Sequence, residues 1–152
     1  MHYFLNIGSN LGCRELNITR AVREIEKLYG YFELSKKVES EPWGFDSPNS
    51  FINVAMMIIT EESPREVLAR LKEIEQRISP RSHRKSDGSY ADRVIDIDIM
   101  AIDELIIDEE GLKVPHPHLA ERDFFIRPFL ELAPGWRDPR TGLTLPELAE
   151  KL

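Results

Sequence analysis

A βαββαβ α+β sandwich is the fold class this sequence predicts, and three observations carry it. Strand-type apolar runs stand at Tyr3–Ile7, Phe51–Thr60 and Val94–Met100, with a run of mixed exposure from Phe32 to Val38. Apolar residues at helical spacing fill two of the intervals, after Gly12 and after Ser63. The 152 residues suit one domain, 1–152, with a substantial core and no internal repeat. Strand, helix, strand, strand, helix, strand is the ferredoxin-like order, and it places the fourth strand beside the first. A C-terminal hairpin and short helices are expected as additions.

Each element has its local reason. Tyr3-Phe4-Leu5-Asn6-Ile7 runs into Gly8-Ser9-Asn10-Leu11-Gly12, residues that tolerate turn backbone angles. The first helix carries Ile18, Val22, Ile25 and Tyr29 on one stripe, with Ala21 and Leu28 beside it and Gly30 as its stop. Asn17-Ile18-Thr19 matches a glycosylation sequon, but it falls in this helix and no export signal is expected. Glu41–Asn49 is a Pro/Gly loop whose Trp43 and Phe45 either fold back on the core or cover a ligand. Asn53 is the polar side chain early in the third strand; a neighbouring backbone or a heterocyclic ligand would satisfy its amide.

Ser63-Pro64-Arg65-Glu66 is a capping box with Pro at the first helical position, and Val67, Leu71, Ile74 and Ile78 face inward. The Pro80–Asp92 segment is long for a connection. It reads either as a solvated loop or as a basic lid, with Arg81, His83, Arg84 and Lys85. Leu105–Ile107 and Leu112–Val114 flank an acidic turn and read as a hairpin. Leu119–Ala133 reads as helical in pieces, with Phe124, Phe125, Phe129 and Leu132 mostly in the core. Pro134–Gly142 reads as loop, and Thr144 with Glu147 as a second capping box.

The chemistry concentrates in Arg93-Val94-Ile95-Asp96-Ile97-Asp98-Ile99-Met100. Alternation puts Ile95, Ile97 and Ile99 on one face and both aspartates on the other, about 6.5–7 Å apart along the strand. Two buried carboxylates need positive charge between them, and Mg²⁺ suits carboxylate oxygens. The plainer reading is a half-exposed strand with its aspartates in water. Pro115-His116-Pro117-His118 follows; its histidines could begin a zinc site, donate to phosphate or lie in a surface turn.

The net charge of −7 argues against a nucleic-acid surface, and no apolar run would span a bilayer. A lone cysteine, Cys13, allows no internal disulfide, so a reducing cytoplasm is expected.

Several short motifs occur in a fixed order: Ile7-Gly8-Ser9-Asn10-Leu11, Pro42-Trp43-Gly44, Phe51-Ile52-Asn53, Arg93-Val94-Ile95-Asp96-Ile97-Asp98, Val114-Pro115-His116-Pro117, Glu121-Arg122-Asp123-Phe124 and Leu132-Ala133-Pro134. Over nearly the whole chain they resemble the 6-hydroxymethyl-7,8-dihydropterin pyrophosphokinase family. The resemblance implies transfer of the terminal pyrophosphoryl group of ATP, the co-substrate, to the pterin's hydroxymethyl group, with release of AMP in folate biosynthesis. It implies that Asp96 and Asp98 hold two Mg²⁺ ions and that Arg93 steadies the phosphates, with His116 and Arg122 as further contacts. Arg84 and Lys85 match the family's catalytic loop cations. Phe51 and Phe124 match aromatics that sandwich the pterin, and Asn53 matches the reader of its polar edge. Gly8, Ser40, Pro42 and Trp43 line that pocket, with Asp96 at its border. Glu75, Ile99 and Lys113 fall where the family meets the nucleotide.

The chain departs from the family's Arg-Trp-Gly-Pro-Arg-Thr, which here reads Ser89-Tyr90-Ala91-Asp92-Arg93-Val94. Tyr90 can stack where the Trp would, whereas Asp92 adds negative charge near the phosphates and removes a proline restraint. Two other readings are a binding-only descendant and a ferredoxin-like regulatory module with surface aspartates. Turnover separates the first from an enzyme, and Mg²⁺-dependent ATP binding separates the second.

Overall fold

The computed structural model describes residues 1–41, 49–79 and 94–152. Pro42, Trp43, Arg84, Lys85 and Arg93, with the expectations placed on them, lie outside the described residues.

Strand β1 (His2–Ser9) leads through helix α1 (Arg14–Tyr29) to β2 (Phe32–Leu34), β3 (Val38–Ser40) and β4 (Phe51–Ile59). Helix α2 (Pro64–Ile78) connects to β5 (Asp96–Ile102). The hairpin β6 (Ile107–Glu109) and β7 (Leu112–Val114) follows, then a 3-10 turn at Leu119–Glu121, α3 (Asp123–Leu132) and α4 (Leu145–Glu150). The main sheet is antiparallel in the order β2-β4-β1-β5, with β3 also paired to β4. The last strand of the ferredoxin-like plan therefore lies beside the first, as the element order predicts.

The run expected as one second strand is two short ones. Leu34 faces Met56 and Val38 faces Asn53, so the outer strand carries one extra residue, a bulge. Ser35 holds the break: its N–H donates to the Ala55 carbonyl at 2.9 Å and its hydroxyl accepts from the Ala55 N–H at 2.8 Å. Strand β5 likewise starts at Asp96, later than the expected Val94.

Helices α1 and α2 cover one face of the sheet. Tyr3, Leu5, Ile7, Val54, Met56, Ile58, Ile97 and Ile99 meet Ile18, Val22, Ile25, Leu71 and Ile74 there. Leu28, expected beside the α1 stripe, is 40% exposed, because the buried arc stops at Ala21, Val22 and Ile25. Gly30 ends α1 with φ 75°, a left-handed angle that a glycine adopts at little cost. Ser63 caps α2 by accepting from the Glu66 N–H, and the Thr144/Glu147 box at α4 closes in both directions.

The second face carries a core of its own, in which α3, α4 and Trp136 pack on Phe4, Ala55, Met57, Met100 and Ala101. Burial on both faces explains why β1 and β4 read as unbroken apolar runs. Toward Gly8 this face turns polar. No helix among the described residues is long and apolar enough to cross a membrane.

Candidate active site

One row of cross-strand partners defines the polar end of the second face. Val38 of β3 faces Asn53 of β4, Asn53 faces Gly8 of β1, and Gly8 faces Asp96 of β5. Cross-strand partners point the same way, and strands lie about 4.8 Å apart, so Asn53 and Asp96 stand roughly 10 Å apart across Gly8. The neighbouring same-face positions are Ser40 with Phe51 on one side, and Ala55, Asn6 and Asp98 on the other.

Gly8 forms the floor between them. A Cβ there would stand 2.7 Å from Asn53 Oδ1 and 3.5 Å from the Phe51 ring, so a side chain would displace the Asn53 amide. Asn53 is buried, and its Nδ2 donates to Ser40 Oγ at 3.0 Å. The amide is thus held by another residue of the expected pocket.

Phe124 reaches this region through a backbone irregularity. Pro128 sits inside α3 and has no N–H for the carbonyl four residues earlier, that of Phe124. Asn6 supplies the missing bond, its Nδ2 donating to the Phe124 carbonyl at 3.0 Å. The first turn of α3 is thereby tied to β1 two residues from Gly8. The Phe124 ring stands edge-on to Phe125, centroids 5.3 Å apart.

Asp96 and Asp98 are partly exposed on this face while Ile95, Ile97 and Ile99 are buried, the alternation the sequence predicts. Glu75 accepts from the Ile97 N–H at 2.8 Å and so pins β5 to α2. The Ile99 side chain is buried in the helix-side core, which leaves its backbone for any ligand. Lys113 projects to solvent from β7, 3.8 Å from Asp108, on the hairpin rather than in the aspartate row.

His116 is held at its backbone and at its ring. Its N–H donates to the Met100 carbonyl at 2.8 Å, and its Nδ1 accepts from the His118 N–H at 3.1 Å. The ring proton of the neutral form is therefore on Nε2, which lies 3.8 Å from Asp98 Oδ1, beyond direct hydrogen bonding. Burial, followed by the positive charges of Arg122, His118 and Arg140, pushes its pKa down to about 3. At neutral pH His116 is thus an uncharged N–H donor aimed toward the aspartates. His118 turns away to Glu121 at 2.9 Å. Arg122 is buried, with its guanidinium over the rings of Phe125 (4.9 Å) and Phe124 (5.7 Å).

The tethers made by three asparagines escaped sequence reasoning. Asn6 ties α3 as described. Asn10 Nδ2 donates to the Asn49 carbonyl at 3.3 Å. Asn17 Nδ2 donates to the Leu11 carbonyl at 2.9 Å and reaches Ser9 Oγ at 3.4 Å, holding the turn after Gly8 from inside α1. Asn17 is buried, in keeping with setting the sequon aside. An amide within an apolar run or beside a glycine turn was the signal available.

The donor set suits magnesium. Among the described residues no group of three or more His, Cys, Asp or Glu could hold a metal. Mg²⁺ is commonly bound by one or two carboxylates, with substrate phosphates and water completing six oxygens. A pair such as Asp96 and Asp98 meets that need, whereas His118 turns its ring to Glu121.

Known proteins share the sequence pattern and the fold. The model of the 7,8-dihydro-6-hydroxymethylpterin-pyrophosphokinase (HPPK) family matches residues 4–134. The chain belongs to this family. It is an ATP-dependent pyrophosphokinase. The 2-amino-4-hydroxy-6-hydroxymethyldihydropteridine pyrophosphokinase of Aquifex aeolicus is 36% identical over 132 residues, covering 87% of this chain and 80% of that protein. A Porphyromonas gingivalis protein of the same name is 35% identical over 138 residues, 90% and 92% of the two chains. The Plasmodium falciparum HPPK-DHPS crystal structure with SDX-DHP superposes over 99% of this chain with a TM-score of 0.72 at 12% identity, a likeness of fold. This chain spans 44% of that longer one.

Proposed function

We propose that residues 1–152 form one domain that transfers pyrophosphate from Mg-ATP to 6-hydroxymethyl-7,8-dihydropterin, giving AMP and the pterin diphosphate. The observation that carries the assignment of roles is the row Asn53–Gly8–Asp96, which sets an amide reader and a carboxylate pair on one floor. Asn53, oriented by Ser40, reads the polar edge of the pterin, and Phe51 and Phe124 stack on its faces. The absence of a side chain at Gly8 leaves room for the Asn53 amide to stand over the strand in its reading position.

Asp96 and Asp98 hold two Mg²⁺ ions with the phosphates of ATP. When bound, the ions neutralise the phosphates and stabilise the charge that moves onto the departing AMP. His116 donates its Nε2 proton to a phosphate oxygen without adding a charge. Arg122 contributes a fixed positive charge from below. Positioning and electrostatics supply most of the rate in this chemistry. Arg93, Arg84 and Lys85 are assigned to the phosphates on sequence grounds, and Glu75, Ile99 and Lys113 to the nucleotide's surroundings. We place the protein in a reducing cytoplasm as a monomer, a reading supported by its single cysteine, Cys13, which is exposed.

Separate titrations of a nonhydrolysable ATP analogue with Mg²⁺ and of the pterin test the assignment. Asn53→Ala is expected to lose pterin binding and keep the nucleotide, and Asp98→Asn to weaken the Mg²⁺-dependent nucleotide binding. Loss of both ligands in both variants, with folding intact, would contradict the division of the row.

A further inference from the structure

From the turn after α3 we infer that Asp138 and Arg140 form a clamp that orients His116 for ATP, making Arg140 a positioning residue for the reaction. Both lie beyond residue 134, where the family match ends. The segment reads in sequence as an ordinary loop, yet Asp138 is 1% exposed. Its carboxylate accepts from the Arg140 backbone N–H at 2.8 Å, from Nε at 3.1 Å and from Nη2 at 2.8 Å. The guanidinium is thereby fixed in a fork, which leaves Nη1 to donate to the Pro115 carbonyl at 3.3 Å. The turn carrying the pair is itself closed, with the Asp138 N–H on the Leu143 carbonyl at 2.8 Å and the Gly142 N–H on the Asp138 carbonyl at 2.7 Å.

The bond to Pro115 falls on a particular peptide. The Pro115 carbonyl and the His116 N–H belong to the same planar unit. Its N–H is held by the Met100 carbonyl of β5, and its C=O by Arg140. Fixing both ends fixes the plane from which the His116 side chain leaves. The His118 N–H on Nδ1 then sets the ring and leaves the Nε2 proton aimed at the aspartate side. Without Arg140 the plane is anchored at one end only, and a small rotation carries through Cβ to Nε2. Positioning errors near an ångström can cost a reaction about a hundredfold.

This inference rests on His116 being the phosphate donor. The test is steady-state kinetics of the paired substitution Asp138→Asn with Arg140→Met, which avoids stranding a lone buried carboxylate. It is made in the native background and in His116→Ala, with melting curves for each. The expected result is a kcat/KM for ATP lowered roughly tenfold in the native background, with KM for the pterin within twofold. In His116→Ala the same pair should change kcat/KM for ATP less than twofold. An equal loss in both backgrounds would overturn the clamp, as would no loss in a folded variant. If His116→Ala itself matches the native protein, the donor assignment fails first and the clamp with it. Should the paired variant not fold, Arg140→Lys provides the same comparison, because a compact ammonium lacks the planar fork whose separate nitrogens reach the Asp138 carboxylate and the Pro115 carbonyl. The His116 ring ¹⁵N shifts give an independent signature: one Nε2–H tautomer in the native protein, and movement toward an averaged pair in either Arg140 variant. Unchanged ring shifts in those variants would count against the clamp.

Discussion

At Gly8 a methyl group would stand 2.7 Å from Asn53 Oδ1, inside any real contact distance. Gly8→Ala must therefore move the Asn53 amide, the proposed reader of the pterin. Overpacking of this kind costs about 1–3 kcal/mol. If most of it appears in binding, KM for the pterin rises roughly fivefold to 150-fold, while KM for ATP stays within about threefold. Equal effects on both substrates in steady-state assays would argue against the placement of Gly8. Asp138 offers a second residue-scale check. Burial alone would raise its carboxyl; the hydrogen bonds and charge of Arg140 outweigh that and hold it below the usual range. A depressed carboxyl contributes stability above its unfolded pKa and loses it as pH falls through the folded value. Acid melts of the native protein should therefore lose stability below about pH 4, and Asp138→Asn should flatten that part of the curve. A parallel curve for the variant would contradict the coupling.

At the scale of elements, the Asn6–Phe124 bond joins a strand to a helix that lacks one of its own bonds. Asn6→Leu should leave the Phe124 carbonyl without its partner and cost about 1–3 kcal/mol. Pro128→Ala restores an N–H four residues on, so the double variant should recover part of that loss in chemical denaturation. Strict additivity would show that the amide and the proline are not linked. Element order and faces were legible in the sequence because period-2 and period-3.6 patterns survive burial. The Ile95/Asp96/Ile97/Asp98 alternation gave the faces of β5 directly. The split of the second strand was not legible, since it hangs on one serine, Ser35, whose hydroxyl takes the place of a ladder carbonyl. Nor were the tethers at Asn6, Asn10 and Asn17, because an amide in a run of apolar residues looks the same whether it bonds a ligand, a turn or a proline-broken helix. Of the predicted site, Gly8, Ser40, Phe51, Asn53, Asp96 and Asp98 gather around one row. Ile99 faces the opposite core, and Lys113 faces solvent.

For the molecule as a whole, the two cores divide the labour. The helix-side core fixes the sheet, while the α3/α4 core covers part of the other face and does not include its polar end. Asp96 and Asp98 face that end, where we propose that their charges serve bound phosphates and Mg²⁺. Asp96→Asn and Asp98→Asn should each keep the native melting temperature or raise it, since removing one of two neighbouring negative charges relieves repulsion. A loss of several degrees in either would indicate a structural role instead. The most direct measurement is product identification with ATP, Mg²⁺ and 6-hydroxymethyl-7,8-dihydropterin, with Asp96→Ala and Asp98→Ala as controls. The expected products are AMP and a pyrophosphorylated pterin, absent with either variant. ADP with a monophosphorylated pterin, or turnover that survives loss of the aspartates, would contradict the central claim.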